Sequence, residues 1–152
     1  MLLNFTDGTQ FSSGAAKFYN PPERDELSSA RITVAVRIGG INTGAVVDTG
    51  LLYMVVSPEL ADVIALEPSG RLGPTEILLE GKPVVGNLHR VPLALLNADG
   101  DGKDLLLSVR AFVPDASKYS GELLPSFLGL TSCLDAIRFA LDASAAEMFY
   151  FG

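Results

Sequence analysis

Residues 31–48 hold the pattern that most limits what this chain can fold into. Arg31-Ile32-Thr33-Val34-Ala35-Val36-Arg37-Ile38 alternates with period two, which places Ile32, Val34, Val36 and Ile38 on one face. β-Branched residues at that period form a half-buried strand. Gly39-Gly40 then turns the chain, in a loop expected to run to Asn42 and Thr43, and residues 44–48 form the return strand. The return strand is apolar on both faces and ends abruptly in Asp48-Thr49-Gly50, after which Leu51 and Leu52 resume the apolar run. An isolated buried charge is very costly, so a carboxylate in such surroundings is paired, hydrogen-bonded or shifted in pKa, and becomes a candidate for chemistry. Asp and Gly are also ordinary turn formers, and the triplet alone fits a strand that ends in a polar turn.

The rest of the chain repeats the strand-and-turn theme. Residues 1–30 mix short apolar pieces with turn formers. Leu2, Leu3 and Phe5 suggest one short strand closed by Asp7-Gly8, and Phe11 with Phe18-Tyr19 suggests another. A proline-marked polar loop follows at 20–26. Residues 53–56 predict a third strand. Ser57-Pro58-Glu59 then announces a short helix, with a capping hydroxyl, a proline at the first helical position and an acid at the positive end of the dipole. Leu60, Val63 and Ile64 would form its apolar face, and Glu67-Pro68 would stop it.

Residues 69–74 read as a loop. Residues 77–79 and 83–85 read as strands around the tight polar turn Glu80-Gly81-Lys82, and Gly86-Asn87 separates them from a long strand ending at Leu96. A polar turn at 97–104, a strand at 105–113 and a loop at 116–125 follow. Ser126-Phe127-Leu128-Gly129-Leu130 reads as a short buried strand with a glycine where something approaches closely. Ser132-Cys133-Leu134-Asp135 fits a helix start, and residues 138–142 and 147–151 fit a closing hairpin. Many short strands, regular turn signals and two short helices give a mostly β domain.

Composition narrows the function. The length of 152 residues suits one domain with a real core. The chain is 48% hydrophobic and only 19% charged, which implies a generous core or apolar surface covered by a partner. A net charge of −7 with no Lys/Arg cluster argues against nucleic acid and anionic membranes as partners. One cysteine excludes an internal disulfide. The first residues lack the basic segment and long apolar run of a signal peptide. No stretch reaches the roughly 18 apolar residues that a membrane-spanning helix needs. The expectation is a soluble cytoplasmic protein.

Three other features read as structural. Asn97-Ala98-Asp99-Gly100-Asp101-Gly102 approaches a calcium loop, but Ser108 stands where a bidentate Glu is needed and the flanks are strands, so a solvated hairpin turn is expected. His89, the only histidine, has no Cys/His cluster around it and reads as a strand residue. Cys133, near a predicted helix start, could be an activated thiol but reads better as a small buried hydrophobe. Neither Ser57 nor Ser126 sits in a nucleophile-elbow context. No metal or cofactor is expected.

Taken in order, these pieces resemble the retropepsin-like (retroviral-type) aspartic proteases, including their bacterial relatives. Val46-Val47-Asp48-Thr49-Gly50 matches the active-site loop, and Leu79-Glu80-Gly81-Lys82-Pro83 matches the flap tip. Gly86-Asn87-Leu88 resembles the strand leaving the flap. Phe127-Leu128-Gly129 matches the second hallmark, and Arg138-Phe139-Ala140-Leu141-Asp142 with Phe149-Tyr150-Phe151-Gly152 resembles the closing hairpin. The resemblance implies an all-β, closed-barrel domain over residues 31–152 with a flap hairpin, preceded by an N-terminal extension at 1–30. It implies catalytic roles for Asp48, Thr49 and Gly50. It also implies peptide contacts from Leu51 and Leu52, from Leu79, Glu80, Gly81 and Lys82, and from Phe127, Leu128 and Gly129.

An aspartic protease needs two carboxylates sharing one proton, and this chain holds one Asp-Thr-Gly, so the resemblance implies a homodimer with Asp48 of each subunit at the axis. The implied activity is endopeptidase cleavage of a peptide or protein substrate. Leu51 departs from the small residue usual at that position, which motivates a second expectation: a protease-like dimeric module that binds peptides with weak or no turnover.

Overall fold

A computed structural model describes residues 2–19, 31–64, 66–117, 124–144 and 147–152. The elements run β1 (Gly14–Lys17), β2 (Thr33–Ile38), β3 (Ile41–Val47), β4 (Met54–Val55), α1 (Pro58–Ile64), β5 (Arg71–Leu79), β6 (Lys82–Leu95), β7 (Leu105–Pro114), β8 (Ser126–Leu128), β9 (Phe139–Asp142) and β10 (Met148–Phe151). Two single 3-10 turns, Pro68–Gly70 and Leu134–Ala136, complete them.

The larger sheet has the order β2-β3-β8-β4-β7-β6-β5, and an additional pairing of β2 with β6 closes β2 through β6 into a six-stranded barrel. β5 stays outside the closure and pairs only with the first half of β6, so β5 and β6 form a hairpin that rises from the barrel wall. The smaller sheet has the order β1-β10-β9.

Alternation explains the barrel interior. Val34, Val36 and Ile38 on β2 are at most 1% exposed and meet Leu93, Leu95, Val109 and Ala111 from β6 and β7. The C-terminal part of β3 is apolar because it is covered on both sides, whereas Ile41 and Asn42 at its start are exposed. Ala45 points into this first core, whereas Val46 joins a second cluster with Leu51, Phe127 and the hairpin residues Ile77, Leu79 and Val84. A strand buried on both faces reads as a continuous apolar run. Phe149 and Phe151 of β10 plug the barrel end, and β1 zips onto β10 in the register Gly14↔Phe151.

Several local expectations are corrected. The β2–β3 loop is a two-residue turn: Gly39 and Gly40 both take positive φ (55° and 88°), and β3 restarts at Ile41. That backbone matches the strand twist and leaves Asn42 and Thr43 inside the ladder. The expected strand at Leu2–Phe5 is reduced to one bridge, Asn4 with Gln10, and the true N-terminal strand is β1. The expected loop at 69–74 is mostly strand, because Arg71–Leu79 pairs with β6, and Gly86-Asn87 does not interrupt β6. Val63 is 66% exposed, and the buried face of α1 is Leu60, Ala61 and Ile64. The second helix is only a 3-10 turn: the Ser132 hydroxyl accepts the Arg110 backbone N–H (2.8 Å), so it serves β7 and leaves the helix start uncapped.

Candidate active site

Asp48 stands where β3 ends. Its position is set by backbone, since Asp48 N–H donates to the Leu128 carbonyl (3.0 Å) and β3 runs parallel to β8, pairing Val47 with Leu128. The loop that follows is stitched to the end of β8, with Leu130 N–H donating to the Leu51 carbonyl (2.8 Å) and Thr131 N–H to the Leu52 carbonyl (2.7 Å). Gly129 is required at this crossing. A Cβ there would lie 2.0 Å from the Tyr53 carbonyl oxygen, so the close approach expected from sequence is real. One Asp48 carboxylate oxygen accepts the Gly50 N–H at 2.9 Å, which fixes the side chain against its own loop. Thr49 and Gly50 are exposed beside it.

Asp48 lines a cavity of about 570 Å³. Ile32, Val46, Val47, Leu51 and Phe127 supply its apolar lining. The tip of the β5–β6 hairpin contributes Leu79 and Glu80 to the same lining. Leu79 is only 3% exposed, although it belongs to a hairpin outside the barrel. Glu80 reaches across to Arg31, whose guanidinium donates to a Glu80 carboxylate oxygen at 2.7 Å and lies over the Phe127 ring, 5.6 Å from its centroid.

Of the residues expected to contact a peptide, the fold gathers Leu51, Leu79, Glu80 and Phe127 around Asp48. Leu52 is 55% exposed and lies outside the cavity lining. Gly81 and Lys82 sit on the exposed hairpin turn, Leu128 is buried in the barrel core, and Gly129 is buried in the loop crossing. Arg31 was missed by sequence reasoning. The missing signal was the hairpin register: a two-residue turn at Gly39-Gly40 pairs Thr33 with Val46, and the Val47 N–H donates to the Ile32 carbonyl, which carries Arg31 alongside Asp48.

The other singled-out residues are placed elsewhere. The Asn97 amide oxygen accepts the Ala15 and Asp99 backbone N–H groups, so this side chain tethers the turn to β1. The Ser57 hydroxyl caps α1 by accepting the Leu60 N–H (3.2 Å). Cys133 is 1% exposed, and burial, with Asp135 nearby, pushes its thiol up to about 12, the state of an inert hydrophobe. Burial, with Arg71 adding to it, holds the His89 imidazole below the usual histidine range, and its Nδ1 is buried without a hydrogen-bond partner.

No protein-family model and no curated protein matches the chain. Among solved structures it is similar to the crystal structure of a retropepsin-like aspartic protease from Rickettsia conorii, with 17% identity, 93% of this chain and 94% of that chain covered, and a TM-score of 0.49. Among the described residues, no helix is long and apolar enough to cross a membrane.

Proposed function

We propose that this chain is one half of an aspartic endopeptidase that works as a homodimer. The observation that carries the proposal is the setting of Asp48, a carboxylate oriented by the Gly50 N–H in the lining of a cavity whose other residues are mostly apolar. Glu80 is the other carboxylate lining that cavity among the described residues, and it is ion-paired with Arg31. A shared-proton pair therefore needs Asp48 of a second copy. The exposed Thr49 and Gly50 leave the loop open to such an approach.

In this mechanism the two Asp48 carboxyls hold one proton, because like charges about 3 Å apart do not both ionise. The ionised one takes a proton from water as its oxygen attacks the scissile carbonyl carbon. The protonated one gives its proton to the carbonyl oxygen. The tetrahedral diol then collapses: the Asp48 that took the water's proton gives it to the amide nitrogen, the other Asp48 takes a proton from a diol hydroxyl, and the C–N bond breaks, which restores the shared proton. The peptide lies as an extended strand under the β5–β6 hairpin, which closes over it and excludes water.

The test is cleavage of a peptide library between about pH 4 and 7, where a shared-proton pair is active. Wild type is expected to cut and Asp48→Ala to lose activity by several orders of magnitude, with the specific activity of wild type falling on dilution as dimers separate. Equal behaviour of the two proteins would end the enzymatic proposal. Binding without cleavage by wild type would identify the non-catalytic peptide-binding module instead.

A further inference from the structure

The hairpin tip is docked against the site. Leu79 is buried in one cluster with Leu51 and Phe127, and Glu80 takes the Arg31 guanidinium across 49 positions of sequence. The docked tip carries a strained residue: Glu80 is a non-glycine at φ 52°, next to Gly81 at φ 77°. The guanidinium sits over the Phe127 ring inside the cavity wall and already holds a carboxylate. Arginine forms such carboxylate pairs through a rigid fork of donors, and any acidic side chain presents the same oxygens.

We propose that Leu79-Glu80 is an internal ligand of the Asp48 cavity and that Arg31 is its specificity-determining residue: a peptide enters by displacing both, and the preferred peptide carries an acidic side chain beside an apolar one. The apolar side chain replaces Leu79 against Leu51 and Phe127, and the acidic one replaces Glu80 on Arg31. This rests on the proposed peptide-binding role of the cavity but not on turnover.

Two measurements test it. The first needs no peptide. In a Leu79→Cys chain, the rate of reaction with an aromatic disulfide reagent reads how often the tip lifts, and Cys133 stays silent because its thiol is buried. Adding Glu80→Gln or Arg31→Gln is expected to raise that rate about three- to five-fold, the scale of a half-exposed charge pair. The two changes together should be no faster than either alone. A rate indifferent to both changes overturns the docked tip.

The second uses Asp48→Asn protein and two labelled peptides that differ only as Leu-Glu or Leu-Gln. The Leu-Glu peptide should bind more tightly, Glu80→Gln should tighten it further, and Arg31→Gln should erase the difference. Equal affinities in the Asp48→Asn parent, or a difference that survives Arg31→Gln, overturns the specificity role. Binding of neither peptide by the Glu80→Gln chain overturns the peptide-binding role itself, and the thiol rate then decides the docked tip separately. Leu-Glu binding by a protein that never cleaves would leave this inference standing and remove only the catalytic one.

Discussion

At the residue scale, single positions are set by contacts with atoms distant in sequence. Gly129 is the clearest. Its Cβ position is occupied by the Tyr53 carbonyl, a backbone atom that cannot swing aside. Gly129→Ala should therefore force the Asp48 loop away from β8 and cost about 2–3 kcal/mol, as overpacking does, measured by urea unfolding. His89 gives a pH signature. Its folded-state pKa is lowered, so as pH falls the unfolded chain takes up the proton first and stability drops. The stabilisation is present above the ordinary histidine value of 6.5 and is lost below it. His89→Gln should flatten that part of the stability curve, read as the unfolding midpoint from pH 7.5 to 5. An unchanged slope would refute the assignment. Gly129 did not announce its partner: a glycine after two apolar residues signals a close approach, but it does not name what approaches.

At the element scale, the β5–β6 hairpin is the part whose local form and position have separate causes. Its turn closes through Glu80 and Gly81, both at positive φ with the strain on Glu80, and its length comes from the pairing of Arg71–Leu79 with β6, which is irregular only between Arg71 and Gly73. Nothing in that pattern says that it folds down over Asp48. Its position comes from Leu79, whose burial stabilises the docked tip by about 2 kcal/mol, and from the weaker Arg31 pair. The predicted effect of Glu80→Gln on the exposure of residue 79 is thus modest by nature. Helix α1 shows the reverse case. Its start was legible because a cap and a proline act within one turn, whereas its buried face was misjudged because seven residues give too little periodicity to choose between Ala61 and Val63.

At the scale of the whole molecule, the N-terminal residues behave as part of the body. β1 covers one edge of β10, the Lys103 N–H donates to the Ser13 carbonyl, and Gly14 packs where a Cβ would strike the Phe151 ring. Deleting residues 2–19 should therefore expose the edge of β10 and open the barrel end under Phe149 and Phe151. The expected outcome is aggregation or loss of cooperative unfolding, checked by light scattering and thermal melts. A truncated chain that melts like the full one would show that these residues add nothing to the stability of the barrel.

The sequence by itself determined the strands with clean alternation, the tight polar turn at Glu80-Gly81-Lys82, the helix cap at Ser57, and a carboxylate at the end of an apolar strand. These follow from forces that act within a few residues: side-chain period, backbone sterics and capping. Only the tertiary structure decided that β2 and β6 close a barrel, that β8 slides between β3 and β4 to hold Asp48, and that Arg31 and Glu80 meet above it. Those contacts join side chains distant in sequence, and pairs of that kind leave no period or local preference to read. They are fixed only when burial of the shared apolar surface of Val46, Leu51, Leu79 and Phe127 brings the strands together.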